Sequence, residues 1–201
     1  MRMMRVGGLD VRVAGGIDGQ GGGTGPAIVL LHGFGAPGDD LVPLAAVLPV
    51  PPGTRWLFPE GPLSLSFGYG DARAWWLIDM ARIEADRAAG RIRDLSSEIP
   101  RGLPAARQAI ETLFQHLPQA LSIDFTKTVI GGFSQGAMLT CDTVMRTAVP
   151  VAGLVQLSGT LLAHQDWRPA VGNRAGLPVF QSHGMQDAVL PFVMEIGRAH
   201  V

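Results

Sequence analysis

The residues best suited to chemistry form the run Gly132-Phe133-Ser134-Gln135-Gly136, a Gly-x-Ser-x-Gly pattern. It directly follows the apolar stretch Val129-Ile130, and a helical pattern opens near Gln135. A strand–turn–helix setting of this kind lifts a serine to the tip of a tight, strained turn and exposes its hydroxyl. A Cβ at either flanking glycine position would collide with the neighbouring strand and helix. At the head of a helix, free amide donors and the positive end of the dipole favour developing negative charge. The chemistry served by this combination is nucleophilic attack on an acyl carbonyl. The alternative is a glycine-rich turn in which Ser134 only caps a helix.

Two further segments fit the same chemistry. Acyl transfer needs two amide donors aimed at the oxyanion. One would be the amide of Gln135, just after the nucleophile, and the other would come from the loop after a neighbouring strand. The loop His32-Gly33-Phe34-Gly35 follows the apolar run Ala27 to Leu31 and suits that place. The second donor is assigned to Phe34, with Gly33 and Gly35 as adjacent alternatives. The other segment is His183-Gly184-Met185-Gln186-Asp187. A carboxylate at Asp187 would orient a catalytic histidine and stabilise its imidazolium. It follows Ser134, as the chain order Ser…Asp…His requires. Otherwise Asp187 would be a loop residue capping the turn before Pro191. His183 itself reads as a structural residue at a strand end.

The elements that must hold these residues alternate. Short apolar strands are predicted at Ala27–Leu31, Arg55–Phe58, Thr128–Ile130, Ala152–Leu157 and Pro178–Gln181. Helices are predicted at Leu103–Leu117, with Pro104 in the first turn, and at Gln135–Thr147, stopped before Pro150. Such alternation implies one α/β domain with a mostly parallel, doubly wound sheet covered by helices on both faces. The glycine-dense segment Gly15 to Gly25 reads as a flexible linker between an N-terminal strand pair and the body. Residues 61–94 read as a surface excursion with one short helix and a solvated charged face, Arg82 to Arg93.

Composition narrows the classes. Nearly half of the 201 residues are hydrophobic, enough for a sizeable core and the opposite of a disordered composition. A net charge of -1 favours neither nucleic acid nor an anionic membrane surface. No apolar run approaches the length of a membrane span or a signal peptide, so no integral membrane segment and a cytoplasmic location are expected. The single Cys141 allows neither an internal disulfide nor a multi-cysteine metal site, and reads as a buried core residue.

With these residues in hand, the chain resembles the carboxylesterase/phospholipase family of α/β-hydrolases that includes the acyl-protein thioesterases. The matching pieces are Leu31 to Gly35, Trp76-Leu77-Ile78-Asp79, Gly131 to Met138, Leu157-Ser158-Gly159, and His183-Gly184 through Asp187, Val189, Leu190 and Pro191. They occur in family order from Ala27 to about Met194. The resemblance implies an α/β-hydrolase fold with Ser134 as nucleophile, Asp187 as acid and the amides of Phe34 and Gln135 as oxyanion hole. It implies no metal and no cofactor. The substrate would be a small-molecule ester or thioester: short- to medium-chain esters, lysophospholipids or acyl thioesters. Phe34, Leu63, Phe67, Trp75 and Trp76 are candidates for lining an apolar acyl site, and core packing is the competing role for the tryptophans.

One departure stands out. In the family the catalytic histidine follows the aspartate after one more helix and strand. Here the only later histidine is His200, which is not in a Gly-His turn after a strand. The interval from Asp187 is too short for a helix, a strand and a returning loop. His200 is therefore not assigned as the base. The heptapeptide Glu195 to Val201 matches what sequencing-library adapter DNA would encode. The expectation is a C-terminally incomplete α/β-hydrolase domain over 1–194, lacking its last helix and strand, with 195–201 a non-native tail. Very low activity is expected of such a chain. The competing reading is a catalytically inactive α/β-hydrolase-fold binding protein, since no triad histidine is present.

Overall fold

A computed structural model describes residues 1–66, 71–91 and 94–194. The strands are β1 (Arg2–Val6), β2 (Leu9–Gly16), β3 (Gln20–Gly22), β4 (Ala27–Leu31), β5 (Arg55–Pro59), β6 (Leu63–Ser64), β7 (Arg73–Ala74), β8 (Thr128–Phe133), β9 (Gly153–Leu157) and β10 (Val179–Ser182). The α-helices are α1 (Leu44–Val47), α2 (Met80–Ala88), α3 (Leu103–Leu121), α4 (Gln135–Arg146) and α5 (His164–Trp167). Eight strands form one sheet in the order β1-β2-β5-β4-β8-β9-β10, with β3 beside β2, while β6 and β7 form a separate ribbon. Strands β5, β4, β8, β9 and β10 run parallel to their neighbours, and β2 and β1 are added antiparallel. This is the α/β-hydrolase architecture, and each of the five predicted strands is present.

Alternation of side chains along the central strands builds the two faces. Val29 and Leu31 join Leu57 and Ile130 in the larger core, under α3, α4 and Trp167 of α5. Leu30, Trp56 and Phe58 point to the other face, covered by α1 and the flanking residues Leu41, Val42 and Val50. Helix α3 buries Leu103, Ala106, Ile110, Leu113, Phe114, Leu117 and Leu121, a helical stripe. It runs four residues past the predicted end because Leu121 continues the stripe beyond Pro118.

The Gly15 to Gly25 segment corrects the sequence reading. It is no linker: β3 folds back on β2, and β2 itself pairs with β5, so the N-terminal strand pair is part of the sheet. Gly15, Gly16, Gly19, Gly21 and Gly23 all have positive φ, which lets the chain reverse tightly without a Cβ clash. Asp18 fixes the turn by accepting from the amides of Gln20 and Gly22, and those bonds lower its pKa. Residues 61–94 contain the expected short helix, α2, together with the β6–β7 ribbon.

Buried polar groups are matched by specific partners. Arg55 donates to the carbonyls of Gly25 and Leu121, placing its cation at the C-terminal end of α3, where the dipole favours it. Asp142, fully buried on α4, accepts from Arg107, Arg146 and Trp167. Cys141 is also buried, and burial pushes its thiol pKa up, which keeps the sulfur unreactive.

Strand β10 differs from the others. Val179 and Phe180 are exposed, and among the described residues no strand pairs with its outer edge. Parallel strands are ordinarily buried on both faces, so this edge is a template for further pairing. Among the described residues no helix is long and apolar enough to cross a membrane.

Candidate active site

Strand β8 delivers Ser134 directly to the head of α4. Its backbone sits at φ 52, ψ -114, outside the regions that a side chain normally tolerates. Its amide donates to Leu157 O at 2.8 Å, tying the turn to the end of β9. The side chain makes no capping bond to α4, so the helix-cap alternative does not describe it. The flanking glycines answer a steric demand. A Cβ on Gly136 would overlap Leu31 O and stand 2.6 Å from Leu31 C, and one on Gly132 would stand 2.5 Å from Gly136 C.

The neighbouring loop is held from behind by His32, which is buried at the end of β4. Gly61 N donates to His32 Nε2 at 2.9 Å, so that nitrogen is unprotonated. The proton is therefore on Nδ1, which donates to Gly33 O at 2.8 Å. Trp75 stacks on the imidazole with ring centroids 5.3 Å apart and donates from its indole nitrogen to His32 O. Gly35 N donates to Arg73 O, and Arg73 N returns a bond to Ala36 O. Gln135 completes the frame. Its fully buried amide side chain accepts from Trp75 N and donates to Trp76 O, both at 2.9 Å. The segments bearing Phe34 and Gln135 are thus joined through Trp75 and Trp76. Trp75 serves the core, as the packing alternative held, whereas Trp76 also faces the cavity described below.

His32 carries an acid-sensitive load. Burial lowers its pKa, against the opposing hydrogen bond to Gly33 O and the charge of Asp40. A folded pKa below the unfolded value means that the unfolded state binds more protons, so stability rises with pH through that window. Below about pH 6.5 the unfolded chain takes up a proton on this ring, which the folded protein resists because Gly61 N–H already points at Nε2. We expect the melting temperature to fall between about pH 7.5 and pH 5.5, and a His32→Gln variant to lose part of that slope. Equal slopes in the two proteins would remove His32 from the cause.

Ser134 and Phe34 open on a cavity of about 310 Å³, walled by Trp76, Leu77, Ile78, Ile83, Leu95, Met138, Leu162, Val189 and Leu190. That volume lies at the small end of ligand sites, roughly 300–1,000 Å³. Leu63 and Trp75 do not line it, and Phe67 lies outside the described residues. Asp187 lines an adjoining cavity of about 250 Å³, which shares Ile83, Leu95, Val189 and Leu190 with the first. The structure therefore gathers Ser134, Gln135 and Phe34, and sets Asp187 beyond the Val189–Leu190 wall. The Asp187 carboxylate accepts from the amides of Val189 and Leu190, both at 2.9 Å, which is the turn-capping geometry considered above. His183 lies 2.7 Å from Leu190 O through Nε2 and 3.7 Å from Asp187, so it fastens this loop. Among the described residues no histidine bonds to Ser134. His200 and the remaining residues of 195–201 lie outside the described residues.

Sequence reasoning gave no role to the His32 ring or to the Gln135 side chain. Neither is marked by spacing: His32 is a lone histidine beside a loop already noted, and Gln135 was read only for its amide.

Comparison with known proteins agrees with this architecture. The model of a family described as phospholipase/carboxylesterase matches residues 20–200. Acyl-protein thioesterase 1 of Cryptococcus neoformans var. neoformans is 26% identical over 168 residues, covering 82% of this chain and 67% of that protein. The crystal structure of esterase PE8 superposes with a TM-score of 0.70 at 24% identity, covering 92% of this chain and 79% of that one. For acyl-protein thioesterase 2 of Zea mays the TM-score is 0.59 at 22% identity, covering 92% and 79%. The structural likenesses speak to the fold, and the family match spans nearly the whole sequence. This chain belongs to the phospholipase/carboxylesterase family, whose members are hydrolases.

Proposed function

We propose that this protein is a serine hydrolase that cleaves carboxylic esters or thioesters through an acyl-enzyme on Ser134. The observation that carries the reading is the strained, uncapped Ser134 at the head of α4, opening into an apolar cavity. Ser134 Oγ attacks the acyl carbonyl carbon, and the carbonyl oxygen becomes an oxyanion facing the amides of Gln135 and Phe34. The alcohol or thiol leaves with a proton, and water then releases the acid. Asp187 serves as the carboxylate that orients the base. We do not assign that base to His200. Oxyanion stabilisation and substrate binding contribute to the rate independently of the base.

The test is covalent labelling, which needs only one event per molecule. A fluorophosphonate ester should add once, slowly, to the peptide containing Ser134, and Ser134→Ala should abolish the adduct. Absence of label at Ser134 in folded protein would favour a binding protein on the same fold.

A further inference from the structure

Glu60, the residue after β5, is a buried carboxylate that lines neither cavity. Separate segments close on it. Arg12 of β2 pairs with its Oε1, Arg73 of β7 stands 3.6 Å from its Oε2, and a Cβ on Gly38 would overlap its Cγ. Its amide donates to Asp10 O at 2.8 Å, so its main chain and side chain are both fixed to β2.

The supports of the Phe34 amide start from this residue. Gly33 O and Phe34 N–H belong to one trans peptide unit, so they point in opposite directions. His32 holds Gly33 O through Nδ1, and His32 is itself held by the amide of Gly61, the next residue after Glu60. Beyond Phe34, Gly35 N donates to Arg73 O and Arg73 N donates to Ala36 O. Arg73 is the residue whose guanidinium meets Glu60. Gly61 also lies against the neighbour of Arg73: a Cβ there would stand 2.6 Å from Ala74 O. One support thus turns the Phe34 N–H away from the imidazole, the other fixes the next peptide, and a single carboxylate anchors both.

Resting on the reading of Ser134 as nucleophile and of the Phe34 amide as oxyanion donor, we propose that Glu60 is a positioning residue. Its ion pairs with Arg12 and Arg73 hold the Phe34 N–H on the oxyanion. Such pairs suit the task because charge-assisted contacts are strong and, when buried, little screened. Glu60 reaches neither cavity, so its effect falls on the step that forms the oxyanion and not on substrate binding.

The test separates positioning from folding. Fluorophosphonate labelling of Ser134 is followed against probe concentration in the 201-residue protein, Glu60→Ala and Glu60→Gln. Removing an oxyanion donor outright costs about 10²–10³ in rate, so loosening one should lower the saturating rate about tenfold in Glu60→Ala. The half-saturating concentration should stay within about twofold of the parent. Glu60→Gln keeps the shape and one acceptor oxygen, and should return to within about threefold of the parent rate. Amide exchange is read by mass spectrometry in the same proteins: the loop 33–36 should exchange faster in Glu60→Ala while β8 keeps its protection. A parental saturating rate in folded Glu60→Ala overturns the proposal. So does a loss confined to the half-saturating concentration, a Gln variant as slow as the Ala variant, or exchange that quickens in β8 as much as in the loop. Should Glu60→Ala not fold, Arg73→Met removes one arm of the clamp and meets the same criteria, with an expected loss of about threefold. If the parent itself does not label, the nucleophile reading falls, and exchange of the loop alone decides whether Glu60 holds it.

Discussion

Gly136→Ala should destabilise the protein by about 3 kcal/mol and abolish labelling of Ser134. Overpacking typically costs about 1–3 kcal/mol when the crowded atoms can move. Here they cannot move readily. The new Cβ would overlap Leu31 O and stand 2.6 Å from Leu31 C and 2.7 Å from His32 O, all main-chain atoms. Strand β4 is pinned by parallel pairing to β5 on one side and β8 on the other. Relief requires α4 to lift away, and α4 carries Ser134 at its first turn. Gly132→Ala should behave alike, since its Cβ would meet the Gly136 main chain from the opposite direction. Gly184→Ala is the control: its Cβ meets nothing nearer than 3.9 Å. Urea midpoints and the labelling rate of Ser134 decide the matter. A Gly136→Ala protein that unfolds and labels like its parent would mean that α4 has slack which these distances deny.

Much of the positioning frame is legible because local rules and global packing agree along the central strands. The runs Ala27–Leu31 and Trp56–Phe58 are apolar without interruption, and both lie at the centre of the sheet. The glycines around Ser134 could be read for the same reason: a tight turn between a strand and a helix excludes a Cβ at definite places. Phe34 shares a cavity with Ser134, and Gln135 is its neighbour in the chain.

The remainder was hidden because it depends on partners far apart in sequence. Gln135 reaches Trp75 and Trp76 across 60 and 59 positions, and His32 receives Gly61 across 29. No local periodicity encodes such bonds. The glycine-dense segment failed for a different reason. Glycine is compatible both with slack linkers and with tight positive-φ turns, and composition alone does not separate them. The Asp187 turn stays double-edged: the same carboxylate that could orient a base also holds the amides of Val189 and Leu190. Its capping role therefore neither requires nor opposes the proposed one.

Asp142 was equally invisible in the sequence, yet its removal should be among the most damaging single changes. Its side chain is fully buried and accepts from Arg107 at 2.8 Å, Arg146 at 3.1 Å and Trp167 at 2.7 Å. These donors join α3, α4 and α5 at one point. Arg146 extends the network by pairing with Asp166. Asp142→Ala strips the acceptor from two guanidinium groups and an indole at once, and breaking a buried pair in this way costs about 3–5 kcal/mol. Asp142→Asn keeps the shape and one acceptor oxygen, so it should cost less. The two variants together separate charge from packing in urea unfolding followed by tryptophan fluorescence. A double variant, Asp142→Leu with Arg107→Leu, removes both members of the closest pair. It should be less destabilising than the sum of the single changes, because neither charge is then stranded. Strict additivity would show that the ion pair contributes nothing beyond two independent contacts. Since Asp142 sits two turns along the helix that begins at Ser134, Asp142→Ala should also slow labelling of the serine. Asp142→Asn should slow it less, in the same order as the stabilities.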